Sequence, residues 1–173
     1  MLGALPVFGQ SLWQPTLGVQ FVSIGETQQV VSVSEGPIGT ALSLDPGFGA
    51  RLTLPLRGRW SLAANGDFIR ADGAWLQEFT FGPRFRVANG RRWAVFASAG
   101  PGLLHGGLCD CAFINGGVPS ASDFVVDLGG GFEARLARRW VWQAAVDDLV
   151  IHNPGGNFHS NNLQLSTGIA FRF

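Results

Sequence analysis

The chain has no lysine and few charges of either sign. Charged residues are 14% of its 173, well under the roughly 25% of ordinary soluble domains, so a wholly water-facing exterior is hard to build from it. Its formal net charge is zero, so the basic excess that normally marks a nucleic-acid-binding chain is missing and no nucleic-acid partner is expected. It also lacks a membrane helix. The longest apolar runs, such as Trp93 to Ala97, are cut by Ser, Gly or a charge long before the roughly 20 residues of a helical span.

What is present is 46% hydrophobic residues, 25 glycines, and arginine as the sole strong base, 12 times. No linker or solenoid-period repeat divides the chain, so 13–173 reads as one domain. Residues 1–12 read as a signal-peptide remnant or an N-terminal tail, with Val7 and Gly9 as small residues before a cleavage point but no basic n-region.

Period-2 alternation predicts eight strands, near 13–23, 46–56, 60–70, 75–87, 93–104, 123–136, 140–151 and 162–173. In the last, Leu163, Leu165, Thr167, Ile169, Phe171 and Phe173 share one face, and Gln164, Ser166, Gly168, Ala170 and Arg172 the other. Glycine inside these segments, at roughly 1 kcal/mol relative to alanine, speaks against helices. Connections alternate between tight (57–59, 88–92, 137–139) and long (24–45, 105–122, 152–161, with 71–74 short on that same side). The expected fold is all-β, an eight-stranded antiparallel up-and-down barrel that spans a membrane.

Alternation does not say which face points inward. A soluble lipocalin-like barrel would hide the Leu and Phe face, and a membrane barrel the charged one. Three features favour the second. Arg51, Arg84, Arg86, Arg135 and Arg172 balance Asp67, Glu78, Asp127, Glu133 and Asp147 on the polar face, as an enclosed network demands. That face is crowded with Gly and Ala, as in a narrow lumen. Aromatics gather at strand ends. RGRW, GRRW and ARRW place Trp60, Trp93 and Trp140 at three strand starts just after the tight turns, so with Phe171 and Phe173 they should form an interfacial girdle, the preceding arginines facing headgroups and water. Arginine-rich hairpin tips ahead of core tryptophans are the plainer reading of the same repeat.

The C-terminal GIAFRF, ending on Phe173, resembles the last strand of bacterial outer-membrane β-barrels. Val146 to Ile151 followed by Asn161 to Phe173 is similar to the closing hairpin of the OmpA-like, eight-stranded outer-membrane β-barrel family. The resemblance is specific over about the last 30 residues and one of pattern over the rest. It implies the bacterial outer membrane, contact with outer-membrane lipids and lipopolysaccharide, and recognition of the C-terminal strand by the outer-membrane assembly machinery. A monomer is expected. The peptidoglycan-binding domain of the full OmpA layout has no counterpart here, so no cell-wall tether is implied.

Reactive groups collect in the long connections. His105, Cys109 and Cys111 offer a three-ligand zinc set, but a lone Cys-x-Cys is more often a disulfide or free thiols, and neither a metal nor a cofactor is expected. Some barrels that this chain resembles modify lipid A acyl chains with a His-x-Ser arrangement. The nearest match, His159-Ser160, puts the two side chains on opposite faces of a strand, and His152 near Asp147 or Asp148 has no nucleophile at suitable spacing. Gly129 to Gly131 precedes no helix and so is not a phosphate loop. The chain is read as a non-enzyme, a closed barrel anchoring extracellular loops for surface structure or recognition. The alternatives are a narrow OmpA-type channel, in which replacing Glu78 or Arg84 by Ala should raise conductance, and a lipid A-modifying enzyme.

Overall fold

The computed structural model describes residues 14–30, 39–71, 74–106, 122–152 and 158–173. Eight strands run β1 (Thr16–Val30), β2 (Gly39–Pro55), β3 (Trp60–Ala71), β4 (Ala74–Asn89), β5 (Trp93–Gly106), β6 (Ser122–Arg135), β7 (Trp140–His152) and β8 (Phe158–Arg172). Each pairs antiparallel with the next, and β8 closes on β1. Following paired residues once around from Thr16 returns to β1 at Glu26, ten positions along, so the strands are strongly tilted, on the order of 40°. Within the barrel body closure pairs each strand on both sides, so the wall has no open edge there.

Strands β3, β5 and β7 begin at the three tryptophans of the Arg-Trp repeat, as alternation predicts. The first two strands run well past it. β1 and β2 stay paired as far as Val30 and Gly39, so most of the expected loop 24–45 is a two-stranded ribbon, with 31–38 outside the described residues. Its sequence, Glu26-Thr27-Gln28-Gln29-Val30, has no alternation of apolar and polar residues for a period-2 search to find. β8 likewise starts at Phe158 and not near 162, while β5 reaches Gly106 and β6 starts at Ser122.

The faces are unlike. Phe81 is 58% exposed, whereas Glu78, three residues before it, is 1% exposed inside the barrel. Leu17, Val19, Phe21, Leu103, Leu128, Val146, Leu163, Leu165 and Ile169 also point outward, and Arg51, Asp67, Arg84, Asp127, Asp147 and Arg172 are buried. Turned this way, the protein presents an apolar wall and a charged interior.

The interior departs from a uniformly polar lumen. Val22, Ile24, Ile69 and Leu149 form a fully enclosed aliphatic cluster, with Leu76 packed against it. Each inward carboxylate of the middle barrel is followed, two residues toward the long-connection end, by an aliphatic side chain: Asp67 by Ile69, Glu78 by Leu76, Asp127 by Val125, Asp147 by Leu149. An apolar plug therefore sits directly above an acidic layer.

Candidate functional site

The ten lumen charges predicted from sequence all lie on the strands, but not as interleaved pairs. Arg84, Arg86, Arg135 and Arg172 lie toward the short-turn end with one acid, Glu133. Asp67, Glu78, Asp127 and Asp147 lie at mid-barrel with one base, Arg51. The balanced set of five and five is arranged as two layers, one mostly basic and one mostly acidic. Equal totals on one face of eight strands say nothing about which residues share a height; only the register decides that.

Each layer is held by specific contacts. In the lower one Arg84 Nη2 donates to Glu133 Oε1 at 2.6 Å, Gln143 Nε2 donates to the same oxygen at 2.8 Å, and the Arg84 guanidinium lies 3.3 Å from the centre of the buried Phe96 ring. In the middle one Arg51 Nη2 stands 3.6 Å from Asp147 Oδ2, and its Nε donates to Asn65 Oδ1 at 2.6 Å. The surplus carboxylates take neutral donors: Gln20 Nε2 to Asp67 Oδ1 at 2.7 Å, Gln164 Nε2 to Glu78 Oε2 at 2.9 Å, and the Thr80 hydroxyl to Asp127. Buried charge without such partners would cost several kcal/mol.

Glycine makes room for two of these acids. Gly49 is the register partner of Asp67 and Gly129 of Asp147, and a Cβ at either glycine would fall on the carboxylate opposite. Beneath the arginines a cavity of about 40 Å³, lined by Thr16, Thr53, Ser61, Arg84, Arg86 and Glu133 among others, opens toward the short-turn end. That is space for about three water molecules.

Outside, the Arg-Trp repeat is a repeated construction. The Arg59, Arg92 and Arg139 carbonyls accept from the backbone N–H of Arg86, Arg135 and Arg172 at 2.9, 2.7 and 2.8 Å. Each following tryptophan meets a phenylalanine of the neighbouring strand: Trp60 with Phe85 at 4.8 Å, Trp93 with Phe132 at 6.3 Å, Trp140 with Phe171 at 5.3 Å, and Phe171 in turn with Phe173 at 5.5 Å. A second aromatic group, Phe48, Phe68 and Trp75, lies toward the other end. The gathering of aromatics at strand ends is incomplete, because Phe21 and Phe81 point outward from mid-strand, where the apolar wall accepts any large hydrophobe.

No family model matches the sequence, nor does any curated protein. Solved structures do match. The N-terminal β-barrel domain of Pseudomonas aeruginosa OprF has a TM-score of 0.60 at 12% identity, covering 90% of this chain and 97% of that one. Neisserial surface protein A has 0.57 at 13%, covering 92% and 97%, and the outer membrane protein OprG of Pseudomonas aeruginosa 0.56 at 12%, covering 96% and 99%. The fold is that of the eight-stranded outer-membrane barrels. In the outer-membrane barrels of that fold short turns are periplasmic and long connections extracellular.

The two kinds of connection differ in charge. The three short turns hold six of the 12 arginines (Arg57, Arg59, Arg91, Arg92, Arg138, Arg139) and no acid. In sequence, the connecting segments 31–38, 72–73, 107–121 and 153–157 contain Glu35, Asp72 and Asp110 and no arginine. At the long-connection end His105 Nδ1 lies 2.9 Å from Ser122 Oγ, its register partner on β6. Sequence reasoning grouped His105 with Cys109 and Cys111, which lie outside the described residues, and missed Ser122. The signal was weak, since the two residues stand either side of a 15-residue connection.

Proposed function

We propose that the protein is a closed outer-membrane anchor that holds extracellular hairpins for surface structure or recognition and conducts no steady ion flux. The observation that carries this reading is the stacking of arginine, carboxylate and aliphatic layers within an eight-stranded cross-section, which side chains alone can fill. Reconstituted in planar bilayers, the protein should show no stable unitary current; a reproducible step conductance in the wild type would establish the narrow-channel reading instead. The extracellular end bears on the partner. The crystallised complex of Ail from Yersinia pestis with a heparin analogue, sucrose octasulfate, has the same fold, at a TM-score of 0.54 and 13% identity. An acidic extracellular end such as this one favours neutral or cationic partners over such a polyanion. Lipopolysaccharide contact then depends on hydrogen bonding and apolar packing at the wall more than on arginine. Membership of the bacterial outer membrane and insertion by its assembly machinery through β8 belong to this same reading.

One contact favours a second reading, acyl-ester hydrolysis at the outer leaflet. Below the His105 and Ser122 pair, Phe79, Phe81, Pro101, Leu103 and Phe124 line an outward-facing recess of about 350 Å³ suited to an acyl chain. Ser122 Oγ would attack the ester carbonyl while His105 takes its proton; the ester C–O bond breaks, the leaving sugar oxygen takes that proton back from His105, and water then hydrolyses the acyl-serine to free the fatty acid and restore Ser122. Incubation with lipid A in mixed micelles should then release fatty acid, and Ser122→Ala should end the release. No fatty acid from the wild type removes this reading.

A further inference from the structure

The arginines of the β4–β5 and β6–β7 turns close on one another. Arg91, Arg92 and Arg138, with Arg135, Leu136 and Ala137, line a cleft of about 320 Å³ at the periplasmic rim. Arg91, Arg92 and Arg138 are exposed, and among the described residues none of the three is in an ion pair. Three exposed arginines lining one cleft that no carboxylate lines form a site for an anion with several equivalent oxygens, which arginine binds in bidentate fashion.

Position and shape narrow the anion. Trp93 and Trp140 flank the cleft at the level where indoles seek the bilayer interface, so the guanidiniums lie in the headgroup layer of the periplasmic leaflet. Directly above, the outer wall is hollowed. Gly130 and Ala144, flanked by Val95, Phe132, Val146 and Leu165, leave an apolar recess of about 890 Å³ that starts two residues up β5 from Trp93 and crosses toward β1. Small residues at its floor and large ones at its edges suit a flexible hydrocarbon chain.

We propose that this cleft and recess together bind one anionic phospholipid of the periplasmic leaflet, its phosphate between Arg91, Arg92 and Arg138 and an acyl chain over Gly130 and Ala144. The inference rests on the membrane-embedded reading above. The arginine turns, so placed, read the inner-leaflet headgroup, while the acidic extracellular end does not.

The test uses the full chain folded in detergent micelles, with folding checked by the mobility difference between unheated and boiled samples. Native mass spectrometry then follows retention of dipalmitoyl-phosphatidylglycerol against dipalmitoyl-phosphatidylcholine. The phosphatidylglycerol adduct should be preferred. R91Q/R92Q/R138Q should weaken it by about a hundredfold, at about fivefold for each arginine. Ala144→Phe should weaken retention of both lipids by filling the recess, and R57Q/R59Q, at the turn away from it, should change neither. Equal retention of the two lipids, an unaffected triple variant, or displacement by millimolar inorganic phosphate as effective as by the lipid would each overturn the proposal, the last by revealing a free-anion site. A chain that stays folded in buffer without detergent overturns the membrane reading and this one with it.

Discussion

At the scale of single residues, glycine and the Arg-Trp repeat explain more than their frequency suggests. Gly49 and Gly129 are small because a carboxylate occupies the space across from each. Gly58 is different: its φ of +71° is left-handed, and a Cβ there would meet nothing within 4 Å. Gly129→Ala should therefore destabilise the barrel by about 1–3 kcal/mol through displacement of Asp147, as overpacking does. Gly58→Ala should cost about 1–2 kcal/mol from backbone strain alone, with every buried contact intact. Urea unfolding in lipid vesicles measures both, and an Asp147→Ala background, which removes the carboxylate atoms that the new Cβ would meet, should soften only the first. The repeat was legible as a phrase in the sequence, but not its anchoring of three inward arginines through backbone carbonyls, because Arg59 and Arg86 meet only once the register is known.

At the scale of strands, the two faces were readable from alternation because each strand had one consistently apolar side, and the structure keeps that division from β4 to β8. The ends of β1, β2 and β8 were not, because alternation fades there. Nor were the interior layers. Gln164 and Glu78, 86 residues apart, share a height through the ten-residue stagger of the barrel, and no local pattern encodes that. The face assignment has a direct test on β8. Leu165→Arg puts a charge on the hydrocarbon side and should cost about 2–4 kcal/mol of folding free energy in vesicles. Gln164→Arg, one residue earlier, enters the carboxylate layer beside Glu78 and should be far milder. Equal losses in the same urea titration would contradict this assignment, and a larger loss for Gln164→Arg would mean that the faces are reversed.

At the scale of the whole molecule, zero net charge conceals a polarised object. Arginines of the turns and lower lumen lie at the short-turn end, carboxylates fill the middle, and the long connections add acid. Composition recorded the sum and hid the separation. The aliphatic cluster of Val22, Ile24, Ile69 and Leu149 is then the barrier to breach. Ile69→Ser with Leu149→Ser should admit water through this aliphatic layer, and planar-bilayer recordings of the pair should show a small current absent from the parent.

Such a leak would run through an anion-attracting vestibule in series with a cation-attracting segment, the arrangement of a semiconductor junction. Mobile ions would accumulate at the boundary under one polarity of applied voltage and be swept from it under the other, so the current–voltage curve should bend, with the two directions differing severalfold. The stacking that keeps the native barrel shut would make its broken form a rectifier.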